Sequence, residues 1–220
     1  MKPEERCVFV TGGTGYLGRP MIASLLKRGH KVQALVRAGS EGKLPPGCTP
    51  IAGNALDGKS YADQIAPADT FVQLVGVSHP SPAKAAEFRS VDLVSATEAV
   101  HAAAQSGIRH FVYLSVAHPA PIMKAYVRVR MECEAILRQS DLNATILRPW
   151  YVTGPGHRWP YTLVPFYWLM ERLPATRVGA RRLGLVTHAQ MVTALVRGVE
   201  NPGQGVRVVE VPEIRASKGL

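Results

Sequence analysis

The stretch Thr11-Gly12-Gly13-Thr14-Gly15-Tyr16-Leu17-Gly18 decides which fold this chain is expected to adopt. It follows the apolar run Cys7-Val8-Phe9-Val10, which is typical of a buried strand, and it leads into a segment from Tyr16 to Arg28 with helical periodicity. The glycines of the stretch satisfy the spacing G-x-G-x-x-G at a strand-to-helix turn. In that setting the motif predicts a dinucleotide-binding turn, and a glycine-rich turn without a ligand is the alternative.

The chemistry of a pyrophosphate explains why glycine is needed here. This anion must approach backbone N–H groups at the N-terminus of a helix, where unpaired donors and the helix dipole favour negative charge. A Cβ atom would block the anion or force an unfavourable backbone angle. Gly18, the last glycine of the motif, allows the helix to pack closely against the strand.

Strands and helices alternate along the rest of the chain. Apolar runs predict further strands at Lys31–Val36, Thr49–Ala52, Thr70–Val75, His110–Ser115 and Asn143–Arg148. Helical patterns cover Lys84–Ser106, Ile122–Gln139 and a late segment after Thr187, where Gln190 is placed to close a capping box. This order predicts an α/β fold with a Rossmann-like, doubly wound parallel sheet and helices on both faces.

The predicted domain organisation is simple. We expect one dinucleotide-binding domain over residues 1–220, in which residues 150–187 form a short substrate-side or lid region. The tail after Pro212 carries few apolar residues and is predicted to be loose.

Composition limits the class of protein. The 26 Lys and Arg residues outnumber the 16 Asp and Glu residues, giving a formal charge of +10 without any dense basic block. A solvated basic surface is the simplest interpretation, a basic rim around a phosphate-bearing ligand the second, and nucleic-acid binding the third. The three widely spaced cysteines predict reduced thiols in a cytoplasmic protein and no metal site. Neither a signal peptide nor an apolar run long enough to span a membrane is expected.

The end of the second strand bears on the choice of coenzyme. In a dinucleotide fold this point lies beside the adenosine ribose, where an acidic residue receives the 2′-hydroxyl of NAD and an arginine favours the phosphate of NADP. Arg37 stands there, and Ser40 and Lys43 follow. The sequence therefore predicts NADP, with NAD as the alternative and a merely solvated Arg37 as the other interpretation.

Several segments resemble the short-chain dehydrogenase/reductase superfamily, in its extended and atypical branches. These branches include the NAD-dependent epimerase/dehydratase-like and NmrA-like proteins. The resemblance runs from about Val8 to Val211 and rests on the glycine motif, Gly53–Asp57, Leu74-Val75-Gly76 and Leu147–Pro155. Together with the second strand, it implies coenzyme contacts from Gly12, Thr14, Gly15, Tyr16, Leu17, Gly18, Arg37, Asn54, Ala55, Val75, Gly76 and Pro149.

The catalytic motif of that superfamily is only partly present. Its members use a Tyr-x-x-x-Lys pair on the helix after the fifth strand, whereas this chain has Tyr126 and Arg130. The resemblance implies that Tyr126 shuttles a proton and that the cation lowers the pKa of the phenol. Arg130 keeps the charge but does not release a proton, so the substitution spares coenzyme binding more readily than catalysis.

The remaining catalytic positions are less regular. The superfamily places a Ser or Thr after the fifth strand, and Ser115 is the hydroxyl available. The alternatives are that the usual position falls one residue later, on Val116, and that Ser115 is a strand-end hydroxyl bonded to the backbone. Asp92 lies near a position where many relatives carry Asn, and a solvated or helix-capping carboxylate is an equal interpretation.

The C-terminal third offers candidates for the substrate side. The apolar segment Tyr161–Met170 is predicted to be a core helix, with a pocket wall or a subunit contact as alternatives. His157, Arg158 and Trp159 precede it on a predicted lid loop.

Two functions from different classes follow. The first is an NADP(H)-dependent oxidoreductase or epimerase/dehydratase acting on a small molecule. The second is a coenzyme-binding regulator or assembly factor of NmrA-like type, with weak or no catalysis, which the altered motif favours. The sequence does not decide the substrate, the direction of reaction, or whether the chain is a monomer or a homodimer.

Overall fold

A parallel sheet of seven strands forms the centre of the computed structural model, which describes residues 4–156 and 162–217. The strands are β1 (Cys7–Thr11), β2 (Lys31–Val36), β3 (Thr49–Ala52), β4 (Thr70–Gln73), β5 (His110–Leu114), β6 (Asn143–Arg148), β7 (Tyr151–Thr153), β8 (Leu185–Thr187) and β9 (Val206–Glu210). The large sheet has the order β3-β2-β1-β4-β5-β6-β9 with every pair parallel, while β7 and β8 pair separately. The predicted doubly wound Rossmann-like sheet is confirmed.

The strand order creates a crevice. The winding reverses between β1 and β4, so the connections that leave their carboxyl ends go to opposite faces of the sheet. Ligands of such folds bind at this switch point. The turn from Thr11 to Gly18 starts there.

Helices cover both faces. They are α1 (Gly18–Lys27), α2 (Ala85–Glu87), α3 (Val94–Gln105), α4 (Lys124–Gln139), α5 (Val164–Met170), α6 (Arg177–Arg182), α7 (His188–Glu200) and α8 (Val211–Ala216). A π-helical turn, Phe88–Leu93, connects α2 to α3, so the helix predicted over Lys84–Ser106 is not uniform. The predicted capping box is confirmed, because Thr187 and Gln190 each bond the other's backbone N–H at the start of α7. None of the helices in the described ranges meets the length and apolarity that crossing a membrane requires.

Apolar side chains fill the space on each side of the sheet. On one face α3 and α4 pack against a row of aromatic rings. The ring centroid of Phe71 lies 5.3 Å from that of Phe9 and 5.1 Å from that of Phe111. On the other face α1 and α7 cover the valines of β1. The tail predicted to be loose is instead α8, because Val211 and Ile214 are fully buried in this second core.

A buried histidine gives the fold a measurable acid sensitivity. His110 is 1% exposed, its Nε2 lies 3.0 Å from Thr145 Oγ1, and burial, helped by the charge of Arg6, lowers its pKa from 6.5 to about 4. Because the unfolded chain binds the proton more tightly, stability is retained above pH 6.5 and lost as the pH falls towards 4. We expect a loss of about 3 kcal/mol from this group between pH 7 and pH 4.

Urea denaturation at several pH values checks this expectation. His110→Gln keeps a polar group but does not titrate, so its unfolding free energy should fall less steeply over that range than that of the parent. Equal slopes in the two proteins would contradict the assignment.

Candidate functional site

The turn after β1 is shaped by close backbone packing. Gly12 has a φ of +75°, and a Cβ atom on it would lie 2.9 Å from the carbonyl carbon of Leu74 at the end of β4. A Cβ on Gly18 would collide with the carbonyl oxygen of Gly12. These two glycines therefore hold the turn and α1 against the sheet.

Gly15 is less crowded than Gly12 and Gly18. A Cβ on this exposed residue would meet only the carbonyl oxygen of Gly12, at 3.2 Å. Beside it α1 begins at Gly18 with no acidic residue in its first turn and, within the described chain, no side-chain cap on its N–H groups. An open cradle next to an uncapped helix N-terminus fits the pyrophosphate of a dinucleotide. Thr14, Tyr16 and Leu17 lie in the same turn, and their contacts to a coenzyme stay predictions.

The start of α7 anchors this turn from the other side. His188 Nε2 lies 3.0 Å from the carbonyl oxygen of Tyr16, and the two rings are 4.5 Å apart edge to face. The exposed Tyr16 ring is therefore held at the mouth of the crevice. The position of His188 in the sequence gave no signal of this contact.

The residues predicted to meet the adenosine lie at the same edge. Arg37 directly follows β2 and is exposed, and Asn54 lies two residues beyond β3, the parallel neighbour of β2. The Asn54 side-chain oxygen accepts a 3.0 Å hydrogen bond from the N–H of Leu56, which shapes the turn that carries Ala55. The topology brings all of these residues to the edge of the glycine turn, and their contacts to a coenzyme stay predictions.

Arg130 lies in a buried ion pair beneath the turn after β4. Its Nη2 is 2.6 Å from Asp92 Oδ1, and its Nη1 donates to Tyr113 Oη at 3.1 Å and to the carbonyl oxygen of Leu114 at 2.9 Å. A Cβ on Gly76 would collide with Nη2, so the glycine lets the backbone pass directly over the guanidinium.

The setting of Asp92 was not revealed by the sequence. Neither interpretation offered for it, a solvated or a helix-capping carboxylate, is correct, because the residue is 1% exposed within the π-helical turn. Its Oδ2 accepts a 2.9 Å hydrogen bond from the N–H of Val77. Burial raises the pKa of Asp92, while the charge of Arg130 acts in the opposite direction.

Tyr126 lies on the α4 face that borders the crevice. Its ring centroid is 5.0 Å from that of Phe88 and 5.2 Å from the Arg130 guanidinium carbon. Burial raises the pKa of Tyr126, and the opposing charge of Arg130 does not reverse this. The predicted lowering of the phenol pKa is therefore not found, because burial outweighs the charge of Arg130 and the charge of Asp92 adds to the effect of burial. The phenol is protonated at neutral pH.

Ser115 makes its contact away from Tyr126. Its hydroxyl donates to Glu134 Oε1 at 2.6 Å, whereas the side chain of Val116, one residue later, lines the cavity described below. Burial alone would raise the pKa of Glu134, but the hydrogen bonds from Arg148 and Ser115 outweigh it and lower that pKa. The structure thus brings Tyr126 and Arg130 together and leaves Ser115 outside this pair; its catalytic role stays a prediction.

The Leu147–Pro155 segment is held by the same network. Arg148 forms ion pairs with Glu134 and, at 3.0 Å, with Glu210. Pro149 is buried, and its carbonyl oxygen accepts a 2.8 Å hydrogen bond from the N–H of Ala117. Arg148 therefore fixes the backbone that carries Pro149 and from which Trp150 reaches the crevice.

A cavity of about 620 Å³ opens where the loops after β1, β4, β5 and β6 meet α4. Its aromatic side chains are Tyr16, Tyr126, Trp150 and Tyr151. Its other side chains are Val116, Ile122, Met123, Val152, Pro80 and Pro82, with His79 beside them.

Two residues of this wall have unusual backbone angles. His79 and Met123 have φ values of +51° and +56°, in the left-handed region that side chains with a Cβ rarely adopt. Such strain costs about 1–2 kcal/mol at each residue. It tends to occur at functional sites.

The predicted substrate-side helix differs from expectation. Tyr161 and the predicted lid residues His157, Arg158 and Trp159 lie outside the described residues. Helix α5 contains no buried residue, and Phe166 and Trp168 are more than half exposed. The prediction of a core helix is therefore wrong, because the apolar side chains of α5 face outward.

Comparison with known proteins places this geometry in context. The chain is 29% identical over 178 residues to the 3-diazoavenalumate denitrifying reductase of a Streptomyces species, covering 68% of this chain and 57% of that protein. It is 28% identical over 144 residues to the photosystem II assembly factor Ycf39 of a Synechocystis species, covering 64% of this chain and 43% of that protein. The chain thus spans less than two thirds of these relatives.

The fold is also found among solved structures. The Bordetella bronchiseptica enzyme WbmH, solved in complex with NAD+, superposes with a TM-score of 0.70 at 22% identity, covering 94% of this chain and 76% of that chain. The pattern of the NAD(P)H-binding family matches residues 12–167, from the glycine turn to α5. The chain therefore belongs to the NAD(P)H-binding family and carries a Rossmann-like NAD(P)-binding domain.

Proposed function

We propose that this protein is an NADP(H)-dependent oxidoreductase that reduces a carbonyl group of a small molecule. One observation carries the proposal: Tyr126, a phenol that is protonated at neutral pH, lines a cavity at the coenzyme edge of the sheet. A protonated phenol beside a substrate-sized cavity is the proton donor that a carbonyl oxygen needs when the carbonyl is reduced to an alcohol.

The position of the predicted residues around the crevice supports a set of proposed coenzyme contacts. The glycine turn receives the pyrophosphate, Arg37 the 2′-phosphate and Asn54-Ala55 the adenine. Val75, Gly76 and Pro149 border the nicotinamide half. A bound reduced nicotinamide supplies the hydride that forms the new C–H bond at the carbonyl carbon.

Tyr126 supplies the other hydrogen. Its O–H donates a proton to the carbonyl oxygen as the C=O π bond breaks, so the ketone becomes a secondary alcohol. The tyrosinate left behind then regains a proton from water. Arg130, 5.2 Å from the ring, stabilises that tyrosinate by its charge and holds the ring against Phe88.

The proposed preference for NADPH over NADH can be tested at Arg37. Arg37→Ala should weaken NADPH binding about 10- to 100-fold, because it removes charge-assisted hydrogen bonds to the 2′-phosphate, and should leave NADH binding unchanged. Titration calorimetry with both coenzymes measures this. Lys27→Ala removes the same charge from the opposite end of α1 and serves as the control. A parent protein that binds NADH as tightly as NADPH would overturn the choice of NADP.

A second candidate is a coenzyme-binding assembly factor without turnover. The observation that favours it is the engagement of Arg130 by Asp92 and of Ser115 by Glu134. It has a parallel in the similarity to Ycf39. Tight NADPH binding with no NADPH consumption across panels of carbonyl and quinone compounds would favour this candidate over the oxidoreductase.

A further inference from the structure

The lining of the cavity is chemically uniform. Within the described parts of the chain, no Lys, Arg, Asp or Glu side chain lines it. Aromatic rings, prolines and aliphatic groups make up the wall, and the polar groups are tyrosine hydroxyls, the Trp150 indole and His79. Val116 strengthens this character, since an aliphatic side chain stands where the superfamily resemblance would allow a hydroxyl.

Arg130 and Arg148, which lie behind residues of this cavity, are each paired with a carboxylate. Arg130 is paired with Asp92 at 2.6 Å and is 5% exposed. Arg148 is paired with both Glu134 and Glu210. A carboxylate or diphosphate group in the cavity would lose its water without gaining a charged partner from either arginine, which strongly disfavours binding.

The size of the cavity and the position of the Tyr126 phenol also limit which ligands fit. A volume of about 620 Å³ lies within the range of sites for organic ligands of moderate size. Tyr126 is part of the wall, so a ligand whose carbonyl oxygen meets this phenol places the rest of its structure against the aromatic and proline side chains.

We infer that this cavity takes an uncharged, largely apolar carbonyl compound with fused or extended rings, and that it rejects anionic substrates such as sugar nucleotides. The inference rests on the proposed function for its reaction, although the binding preference itself does not require turnover. It narrows the proposed function from small molecules in general to one chemical class.

A matched pair of ketones tests the preference. The probes are 2-acetyl-6-methylnaphthalene and 6-acetyl-2-naphthoate, which have nearly the same shape and differ in charge. Equilibrium dialysis measures their affinities with and without saturating NADPH, and UDP-glucose is added as a competitor. The uncharged ketone should bind about 100-fold more tightly than the carboxylate, and UDP-glucose should not displace it.

A substitution at the rim of the cavity tests whether the ligand binds there. Ile122 is half exposed, so Ile122→Arg adds a cation at the cavity without disturbing the core. It should reduce the preference for the uncharged ketone at least about 10-fold, since an anionic ligand gains a charged partner. Val178→Arg, at an exposed apolar position on α6 outside the lining, should leave the preference unchanged.

The outcomes separate this inference from the proposed function. Tighter binding of the carboxylate, displacement by UDP-glucose, or no ketone binding by a protein that binds NADPH would overturn the inference. The inference would also fail if Ile122→Arg and Val178→Arg behaved alike. Selective ketone binding without NADPH oxidation would support the inference while removing the oxidoreductase proposal.

Discussion

Replacing Tyr126 with Phe is expected to lower kcat for carbonyl reduction by a factor of about 10² to 10⁴, the range that loss of a general acid causes. Coenzyme affinity should change little. The reason is that the phenol O–H is the proposed proton donor on the cavity wall, and Phe keeps everything else. The ring contact with Phe88 at 5.0 Å and the position over Arg130 at 5.2 Å are both independent of the hydroxyl.

The pH dependence of turnover should identify Tyr126 as the group that transfers the proton. Burial raises the pKa of Tyr126 above its ordinary value of 10, so the donor form is fully present at neutral pH and is lost only in alkaline solution. Reduction should therefore stay constant towards neutral pH and decline as the pH rises through the raised pKa. Oxidation of the alcohol needs the tyrosinate and should increase over the same range. Both of these pH-dependent changes in rate should be absent in Tyr126→Phe.

Tyr151 provides a matched control. It is a second tyrosine of the same cavity, so Tyr151→Phe removes a hydroxyl of the same kind from a position with no proposed role in proton transfer. Steady-state kinetics with a reactive ketone and titration calorimetry with NADPH measure the two variants. Equal turnover by Tyr126→Phe and the parent would remove Tyr126 from the mechanism.

The fold was largely predictable because its signals are local. The glycine spacing between β1 and α1 and the apolar runs of β2, β3 and β6 each occupy a few consecutive residues, and those three strands have the predicted bounds. The short strands β7 and β8 have three residues each, too few for an alternation pattern. The helix α8 was missed because only two of its side chains, Val211 and Ile214, are buried.

The candidate site was predictable only where one segment defines it. The spacing of Tyr126 and Arg130 on α4 placed both on one helix face. Asp92 comes from a distant turn, and its pairing with Arg130 depends on how α3 and α4 pack. Ser115 and Val116 face opposite sides, and a shift of one residue decides which of them reaches the cavity. Only the three-dimensional contacts distinguish between such alternatives.

The buried pair of Arg130 and Asp92 leads to the second large expected effect, on stability. Arg130→Met should lower the free energy of unfolding by about 3–5 kcal/mol, because it leaves the Asp92 carboxylate buried without its cation and Tyr113 Oη without its donor. The double variant Asp92→Asn/Arg130→Met removes both charges and should recover much of this loss. Urea denaturation at neutral pH measures all three proteins.

An exposed ion pair serves as a control that separates the effect of burial on stability from the effect of charge. Arg89 and Glu132 lie 3.1 Å apart on the surface, so Arg89→Met should cost no more than about 1 kcal/mol. Lowering the pH should shrink the loss in Arg130→Met. Without the cation the folded pKa of Asp92 rises further above its unfolded value, and the protonated form then relieves the burial of charge. If the single and double variants were equally unstable at every pH, the destabilisation would come from lost packing of the long side chain rather than from an unpaired carboxylate. Arg130 would then act as a filler of space beneath Gly76, and its charge would have no part in holding Tyr126 ready to donate its proton.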